Sequence, residues 1–538
     1  MQFLVGMTTR TAFLATLLLT PLSLLAIDIE VPGDYPTIQE AMAIAVDGDV
    51  IWVQSGYYTG PIDFQGKAVE LRSVEGPELT FLVGASSGSV VQMMLGEGPG
   101  TLLEGFTLTG GNGTSINGAL QGGGLIVVGG SPVISDCIFV ENNALVGGGI
   151  TIRECNTIAP TITGCQLNNN SCIDSGGGIF ITESSAGVII SSTTIEANSA
   201  GIAGGGLFVE TSPLWFSESI LEENTASMVC SGMYLYAGAM AICEGSQFIG
   251  NEGAFIGGGI VVSYYSGLVC RDSIFTGNVS DLGGAGIAFD VLSRQPQSIV
   301  ERCIFTDNDG GMSGAADIGV SINDVDLKIS HCTFGPRVQW PGGSSLMVAA
   351  STPGVVEVVN SIFWAEGEPP IFSPGNQLEV HHCDVIGGYP GSGNIDEDPL
   401  FYDHAARDFR LTFGSPCIDI GDPSEGLDPD GSVPDLGAFN DPVAPISPNF
   451  LRGDVDGSGG SNISDAVQLL NFLFLPTVSE IGCPDGGDAN DSGTLNLADA
   501  ITILQRLFIP GSPPLPEPVD ECGQDPTGDA LGCDSGCP

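Results

Sequence analysis

Between residues 137 and 310, apolar and polar positions alternate in short bursts that never settle into a helical period. Ile150/Ile152, Ile179/Ile181, Leu207/Val209, Ile260/Val262 and Ile287/Phe289 are pairs at alternate positions, which puts both members on one face of a strand. A glycine cluster precedes each burst: Gly147–Gly149, Gly176–Gly178, Gly204–Gly206, Gly257–Gly259, and Gly283 with Gly284. Shortly before each cluster stands an asparagine. The series Asn142, Asn170, Asn198, Asn224, Asn251, Asn278 and Asn308 recurs at intervals of 28, 28, 26, 27, 27 and 30 along the chain. Three positions before these lie Phe139, Leu167, Ile195, Leu221, Phe248, Phe275 and Phe305. Five positions before lie Cys137, Cys165, Thr193, Ser219, Ser246, Ser273 and Cys303, all small.

A repeat of this length, with short strands and tight corners, predicts a coiled stack of parallel strands. One coil cannot bury its apolar face alone, so neighbouring coils complete the core. Asparagine tolerates a left-handed bend, and stacked asparagines can hydrogen-bond from rung to rung. Glycine at the next corner allows positive φ or close backbone approach. Leucine-rich repeats share the period, but their Leu-x-x-Leu-x-Leu signature is missing. Near the start, Thr37–Val46 predicts a short amphipathic helix capping the open end of the stack, followed by strands Val50–Val53 and Val69–Leu71. Residues 36–415 leave room for about 14 coils, a rod of about 65 Å.

Two further stretches carry a resemblance. DYPTIQEAM…DGDVIWVQSGYYTG, from Asp34, is similar to the first coil of the right-handed parallel β-helix superfamily, in its pectin-lyase-like and polymorphic-membrane-protein-like repeat branches. NIDEDPLF…DFRLTFGSPCIDIGD…DLGAF, from Asn394 to Phe439, resembles the terminal coil of its exported bacterial members. The resemblance implies an all-β, right-handed parallel β-helix over residues 27–440.

Charge narrows the partners. The 538 residues hold 13 Lys and Arg against 64 Asp and Glu, a net charge of −51. Such a chain repels phosphate backbones, which excludes nucleic acid, and it favours divalent cations. Glycine is abundant at 79 residues, but without the Gly-x-y period of collagen. Residues 1–26 read as a signal peptide. Arg10 is their only charge, an apolar run extends from Ala12 to Leu25, and Ala26 is a small cleavage residue. That run is short for a membrane span, and no later segment is long and apolar enough to make one. The expected location is therefore extracellular or at the cell surface. The 15 cysteines are an odd number, so at least one is free or paired between chains. Cys137, Cys165 and Cys303 fit as small core residues. Cys483, Cys522, Cys533 and Cys537 are disulfide candidates, and none has zinc-site spacing.

Residues 441–450 read as a linker, and beyond it the pattern changes. Two twelve-position loops repeat one arrangement, the first starting at Asp454 and the second at Asp488. Both carry oxygen side chains at positions 1, 3, 5, 9 and 12, glycine at position 6, and a carbonyl available at position 7, a spacing that wraps a chain around a hard cation. An apolar helix follows each. Over residues 451–511 the pair resembles a type I dockerin, a small α-helical domain that binds two calcium ions. The resemblance implies Asp454, Asp456, Ser458, Asn462 and Asp465, with the Gly460 carbonyl, as one ligand set. It implies Asp488, Asn490, Ser492, Asn496 and Asp499, with the Thr494 carbonyl, as the other. Both loops depart from the family at position 5, where Ser replaces Asp. Three carboxylates in the first loop against two in the second predict weaker binding by the second. The resemblance also implies a cohesin-like partner or cell-surface scaffold. The family's contact positions fall here on Ile463/Ser464 and Leu497/Ala498, without the usual hydroxyl pair. Residues 512–538 read as a flexible, acidic, cysteine-containing tail.

No catalytic constellation stands out. Lyases of the superfamily pair calcium-binding acids with an Arg or Lys base, and hydrolases use close carboxylates. Here Arg153, Arg271, Arg294, Arg302, Lys328 and Arg337 are scattered along the coils, and Lys67 reads as a surface residue. Asp396, Glu397 and Asp398, and also Asp428, Asp430 and Asp435, cluster near the end of the repeat region and read as turn carboxylates. His331, His381, His382 and His404 show no metal spacing, and the adjacent pair is expected on opposite strand faces. Two functions are open: a non-catalytic structural or carbohydrate-binding rod tethered through its calcium module, and a polysaccharide lyase or glycoside hydrolase docked by it.

Overall fold

The computed structural model describes residues 26–519, 523 and 531, except 86, 291–296, 312–314, 321–325, 337–342, 349–353, 366–368, 376–377, 441–449, 476–480 and 482. The expected signal peptide, nearly all of the linker, and Cys522, Cys533 and Cys537 lie outside the described residues.

The repeat region is a parallel β-solenoid. Three long parallel sheets of 14, 13 and 12 strands run along it, with a fourth of six short strands. One coil shows how the sequence closes. Ile150–Arg153 lies in the 12-stranded sheet and Thr161–Thr163 in the 14-stranded sheet. The chain bends at Gly164 (φ 63°), and Gln166–Asn168 enters the 13-stranded sheet. It bends again at Asn169 (φ 55°), forms the short strand Ser171–Cys172, and returns through Gly176–Gly178. The next coil starts at Ile179, paired with Ile150.

Stacking in register builds columns. Phe139, Leu167, Ile195, Leu221, Phe248, Phe275 and Phe305 are directly superposed partners. The column continues to Phe334 and Phe363, with ring centroids 4.3–4.9 Å apart from Phe248 onward. All nine are buried. The asparagines form one buried ladder. Each Oδ1 from Asn170 to Asn308 accepts both the backbone N–H and the Nδ2–H of the asparagine one coil earlier. Each Nδ2 also donates to a carbonyl of the preceding coil, as Asn198 does to Leu167 at 2.8 Å. Gly111 N–H bonds the first rung, and the Asp317 carboxylate accepts from the last, Asn308.

Two details of the coil differ from expectation. The ladder asparagine is not the left-handed residue. Positive φ falls on its predecessor: Glu141, Asn169, Ala197, Glu223, Gly250, Gly277 and Asp307. The reason is hydrogen bonding, because the amide must point into the coil to reach the next rung while the neighbour before it absorbs the bend. The small column is also more than small. Thr193, Ser219, Ser246 and Ser273 each accept the N–H of the residue one coil earlier, making a second ladder. The glycine triples divide their work. Gly147, Gly176, Gly204 and Gly257 have positive φ. At the second position a Cβ would lie 2.3 Å from the Ser171 carbonyl oxygen at Gly148, and 2.4 Å from that of Gly205 at Gly177.

At the first coil, α1 (Ile38–Ile44) starts from Thr37, whose hydroxyl accepts the Glu40 N–H, and buries Ile38, Ala41 and Met42. Lys67 donates to the carbonyls of Met42 and Ala43 at the helix C-terminus, so its ammonium is engaged rather than free. The helix is shorter than the expected Thr37–Val46, because Ala45 already has extended ψ. Eleven cysteines, including Cys137, Cys165 and Cys303, are free and buried, whereas Cys483 is disulfide-bonded. Among the described residues no helix is long and apolar enough to cross a membrane.

The C-terminal region is helical. It holds α2 (Ile463–Phe474), the short α3 (Pro484–Gly487) and α4 (Leu497–Phe508), with α2 and α4 packed together. Its core gathers Val455 with Ala489, Ala466 with Ala500 and Leu469 with Ile503, each pair separated by the same offset as the two loops. The chain beyond Pro510 packs back onto this core instead of leaving it at 512. Leu515 is buried, Glu517 and Pro518 accept from Arg452, and Gly523 pairs with Phe450.

Candidate functional site

Each acidic loop is shaped by the helix it precedes. Asn462 caps α2 by accepting the Ser464 N–H, and Asp465 accepts the Asn462 N–H in return. Asn496 and Asp499 do the same for α4. The main bonds within each loop also repeat. Asp454 accepts the N–H groups of Ser458 and Gly459, as Asp488 does those of Ser492 and Gly493. Asp465 accepts the Asp456 N–H at 3.0 Å, and Asp499 the Asn490 N–H at 3.3 Å. Gly459 (φ 93°) and Gly493 (φ 72°) make the sharp turn at position 6. The Gly460 and Thr494 carbonyls accept from Asn462 and Asn496. All twelve residues named from the sequence thus lie in two closed rings, and carboxylate oxygens of Asp454, Asp456 and Asp465 come within 4.8 Å of one another.

The electrostatics of these rings fit a cation. Asp454, Asp465, Asp488 and Asp499 are buried. Burial pushes the Asp465 carboxyl up, helped by Asp456 and Asp454. Burial beside Asp488 pushes Asp499 up to about 6. The buried Arg452 is committed elsewhere: it pairs with Asp491 at 3.0 Å, donates to the Asp488 and Glu517 carbonyls, and lies over the Phe450 ring. An all-oxygen donor set short of positive charge suits a hard divalent ion.

Outside the rings, the helices carry a duplicated apolar stripe. Ile463, Val467, Phe474 and Leu475 are exposed, and so are Leu497, Ile501, Phe508 and Ile509, the equivalent positions of the second unit. Phe474 and Phe508 are 63% and 62% exposed, unusual for phenylalanine.

On the solenoid, every described Arg or Lys is occupied. Arg72, Arg153, Arg271, Arg302, Lys328, Arg407 and Arg410 all form ion pairs, and Lys67 holds two carbonyls. The clustered acids serve turns: Asp396 accepts from Gly387, Asp398 from Leu400, Asp430 from Ser432, and Asp428 from Asp435. A groove of about 440 Å³ follows the six-stranded sheet, lined by Cys172, Ser199, Ala200, Thr225, Ala226 and Glu252. On the 12-stranded sheet, Phe180, Phe208 and Tyr234 stand on successive rungs with centroids 5.3 Å apart, and Tyr236 and Tyr264 continue the patch.

The histidine pair departs from expectation. His381 ends the strand Leu378–His381, but His382 is the left-handed corner residue (φ 47°). Strand alternation therefore stops between them, and both rings turn the same way, with Nδ1 atoms 3.4 Å apart. Asp422 joins them from the segment folded back over this corner. Cys332, Ser361 and Cys383 extend the small column, and His331, Asn360 and His382 before them all take the bend, so spacing marks the corner while the backbone angle sets where the ring goes.

Comparison with known proteins agrees with this architecture. The family model described as the right handed beta helix region matches residues 173–334. The solenoid is a right-handed parallel β-helix. No curated protein matches the chain in sequence. Among solved structures, pectate lyase Pel9A is similar with a TM-score of 0.37 and 12% identity, over 74% of this chain and 90% of that one.

Proposed function

We propose that the chain is an exported, non-catalytic β-helical rod that binds polysaccharide and is held to a cohesin-like partner or surface scaffold by a calcium-dependent, dockerin-like module. The observation that carries this reading is the C-terminal duplication, in which two oxygen-lined rings brace two helices whose exposed apolar stripes repeat at the offset of the rings themselves. A monomer gains nothing by keeping Phe474 and Phe508 in water, whereas a protein interface would bury them. The rod's contribution is the aromatic patch on the 12-stranded sheet, where the partly exposed Phe180, Tyr234 and Tyr236 and the exposed Tyr264 surround the buried Phe208 and offer rings on which sugars can stack. Full engagement of the described solenoid cations weighs against a lyase base.

Calorimetry of the full chain should detect two calcium ions. Chelation should abolish binding to immobilised type I cohesin while leaving the strand signal in circular dichroism intact, and Val467→Asp with Ile501→Asp should abolish binding with calcium present. No calcium heat, or cohesin binding that survives chelation, would remove the docking reading. Sugar release or unsaturated products from acidic or neutral glycans would remove the non-catalytic one.

A further inference from the structure

The corner where the terminal segment folds back over the last coil gathers His381, His382 and Asp422. His381 Nδ1 and His382 Nδ1 are 3.4 Å apart, and both face one oxygen, Asp422 Oδ2, at 3.5 and 3.6 Å. These edges are too long for good hydrogen bonds, which would be about 2.7–3.2 Å. They lie within about 0.3 Å of the edges of a tetrahedron around a metal with bonds of about 2.0–2.1 Å, whose ligands lie about 3.3–3.4 Å apart.

Three supports hold the triangle. Glu357 Oε1 lies 3.2 Å from His381 Nε2. That contact makes Nε2 the donor and leaves the Nδ1 lone pair facing inward, the carboxylate–histidine–metal arrangement. Asp422 Oδ1 is occupied by the Ser424 N–H, which leaves Oδ2 for the histidines. The Asp422 backbone N–H is tied to Asn360 Oδ1 at 2.7 Å, fixing the segment to the coil. Two imidazole nitrogens and a carboxylate oxygen therefore converge on one point, with the His381 Nδ1 lone pair turned inward by Glu357.

We infer that His381, His382 and Asp422 form a site for a borderline first-row divalent cation of the zinc class, separate from the calcium loops. Imidazole donors select against calcium and for zinc, cobalt or nickel. The three side chains remain 20–27% exposed, so a fourth position faces solvent and takes a water or a ligand oxygen.

The test uses the full chain with calcium in excess, so that the acidic loops are filled. Cobalt(II) chloride should bind one ion per chain and give the intense visible bands of a four-coordinate centre, and zinc should displace it. His382→Gln and Asp422→Asn should each weaken cobalt binding by at least about 100-fold, and Glu357→Gln, which removes no ligand, by about 10–100-fold. Asp465→Ala, in the calcium module, should leave it unchanged. Melting of each variant without cobalt identifies any that fails to fold, and Glu357→Gln keeps the test decisive if a ligand variant does. A pale six-coordinate spectrum, unaltered affinity in His382→Gln, or loss of the site in Asp465→Ala would overturn the assignment.

Discussion

Both halves of the molecule bury polar side chains at a fixed repeat, and they resolve the cost in opposite ways. In the solenoid the repeated group is a neutral amide. Asn170 to Asn278 donate and accept in closed succession, and the ladder ends in Gly111 and Asp317, so nothing outside the chain is needed. In the C-terminal module the repeated group is a carboxylate. Asp454, Asp465, Asp488 and Asp499 accept N–H groups of their own loops, yet acids still face acids. A neutral buried ladder stores its stability internally. A charged one makes stability conditional on an ion.

The widest separation between the two comes from cutting the neutral ladder. Asn198→Ala removes the acceptor for two donors of Asn170 and the donor for Leu167 and Asn224. With each buried unsatisfied group costing about 1–3 kcal/mol, the loss should be about 3–6 kcal/mol. Denaturant unfolding should report the same loss with calcium and with chelator. A loss that calcium restores would mean that the two halves are energetically one unit.

This ladder is also where the sequence was most legible. Period, columns and glycine corners follow from spacing alone, because each coil must reproduce the register of the last. The two loops are readable for the same reason, since the same turn and helix cap recur at one spacing. What stays hidden depends on directions rather than spacings. The bend sits on Glu141 or Asn169 rather than on the ladder residue, and serine and threonine in the small column turn out to be acceptors. His382 reverses its expected face because the corner, not the strand, sets its φ. Asp422 is remote from His382 along the chain, and only the folded-back terminal segment brings it there.

The two acidic loops offer a smaller and more selective contrast. They share the bonds made by positions 1, 9 and 12, so charge at position 3 is the main chemical difference, Asp456 against Asn490. The first loop should bind calcium roughly tenfold more tightly, a difference of about 1.4 kcal/mol. Asp456→Asn should bring the first loop down to the second. Calorimetry finding equal or reversed affinities in the unaltered chain would show that loop rigidity outweighs ligand charge.

A buried acid outside both repeats shows how far a single backbone donor goes in supporting an anion. Asp435, 4% exposed, accepts the Asp419 N–H at 2.8 Å. Burial pushes its carboxyl up to about 6 from an ordinary 3.8, with Asp428, Asp419 and Asp430 adding to the rise. Because the folded pKa is the higher one, the contribution to stability is fully present below about pH 4, where folded and unfolded chains both hold the proton. It is lost as pH rises from about 4 through 6, where the folded chain must ionise a buried group. Asp435→Asn keeps an oxygen for Asp419 and removes the charge. With calcium present throughout, the variant should melt a few degrees above the unaltered chain at pH 7 and together with it near pH 4. Equal or lower melting at pH 7 would mean that solvent or the Asp419 bond already supports the anion, and that this acid carries no penalty comparable to those in the acidic loops.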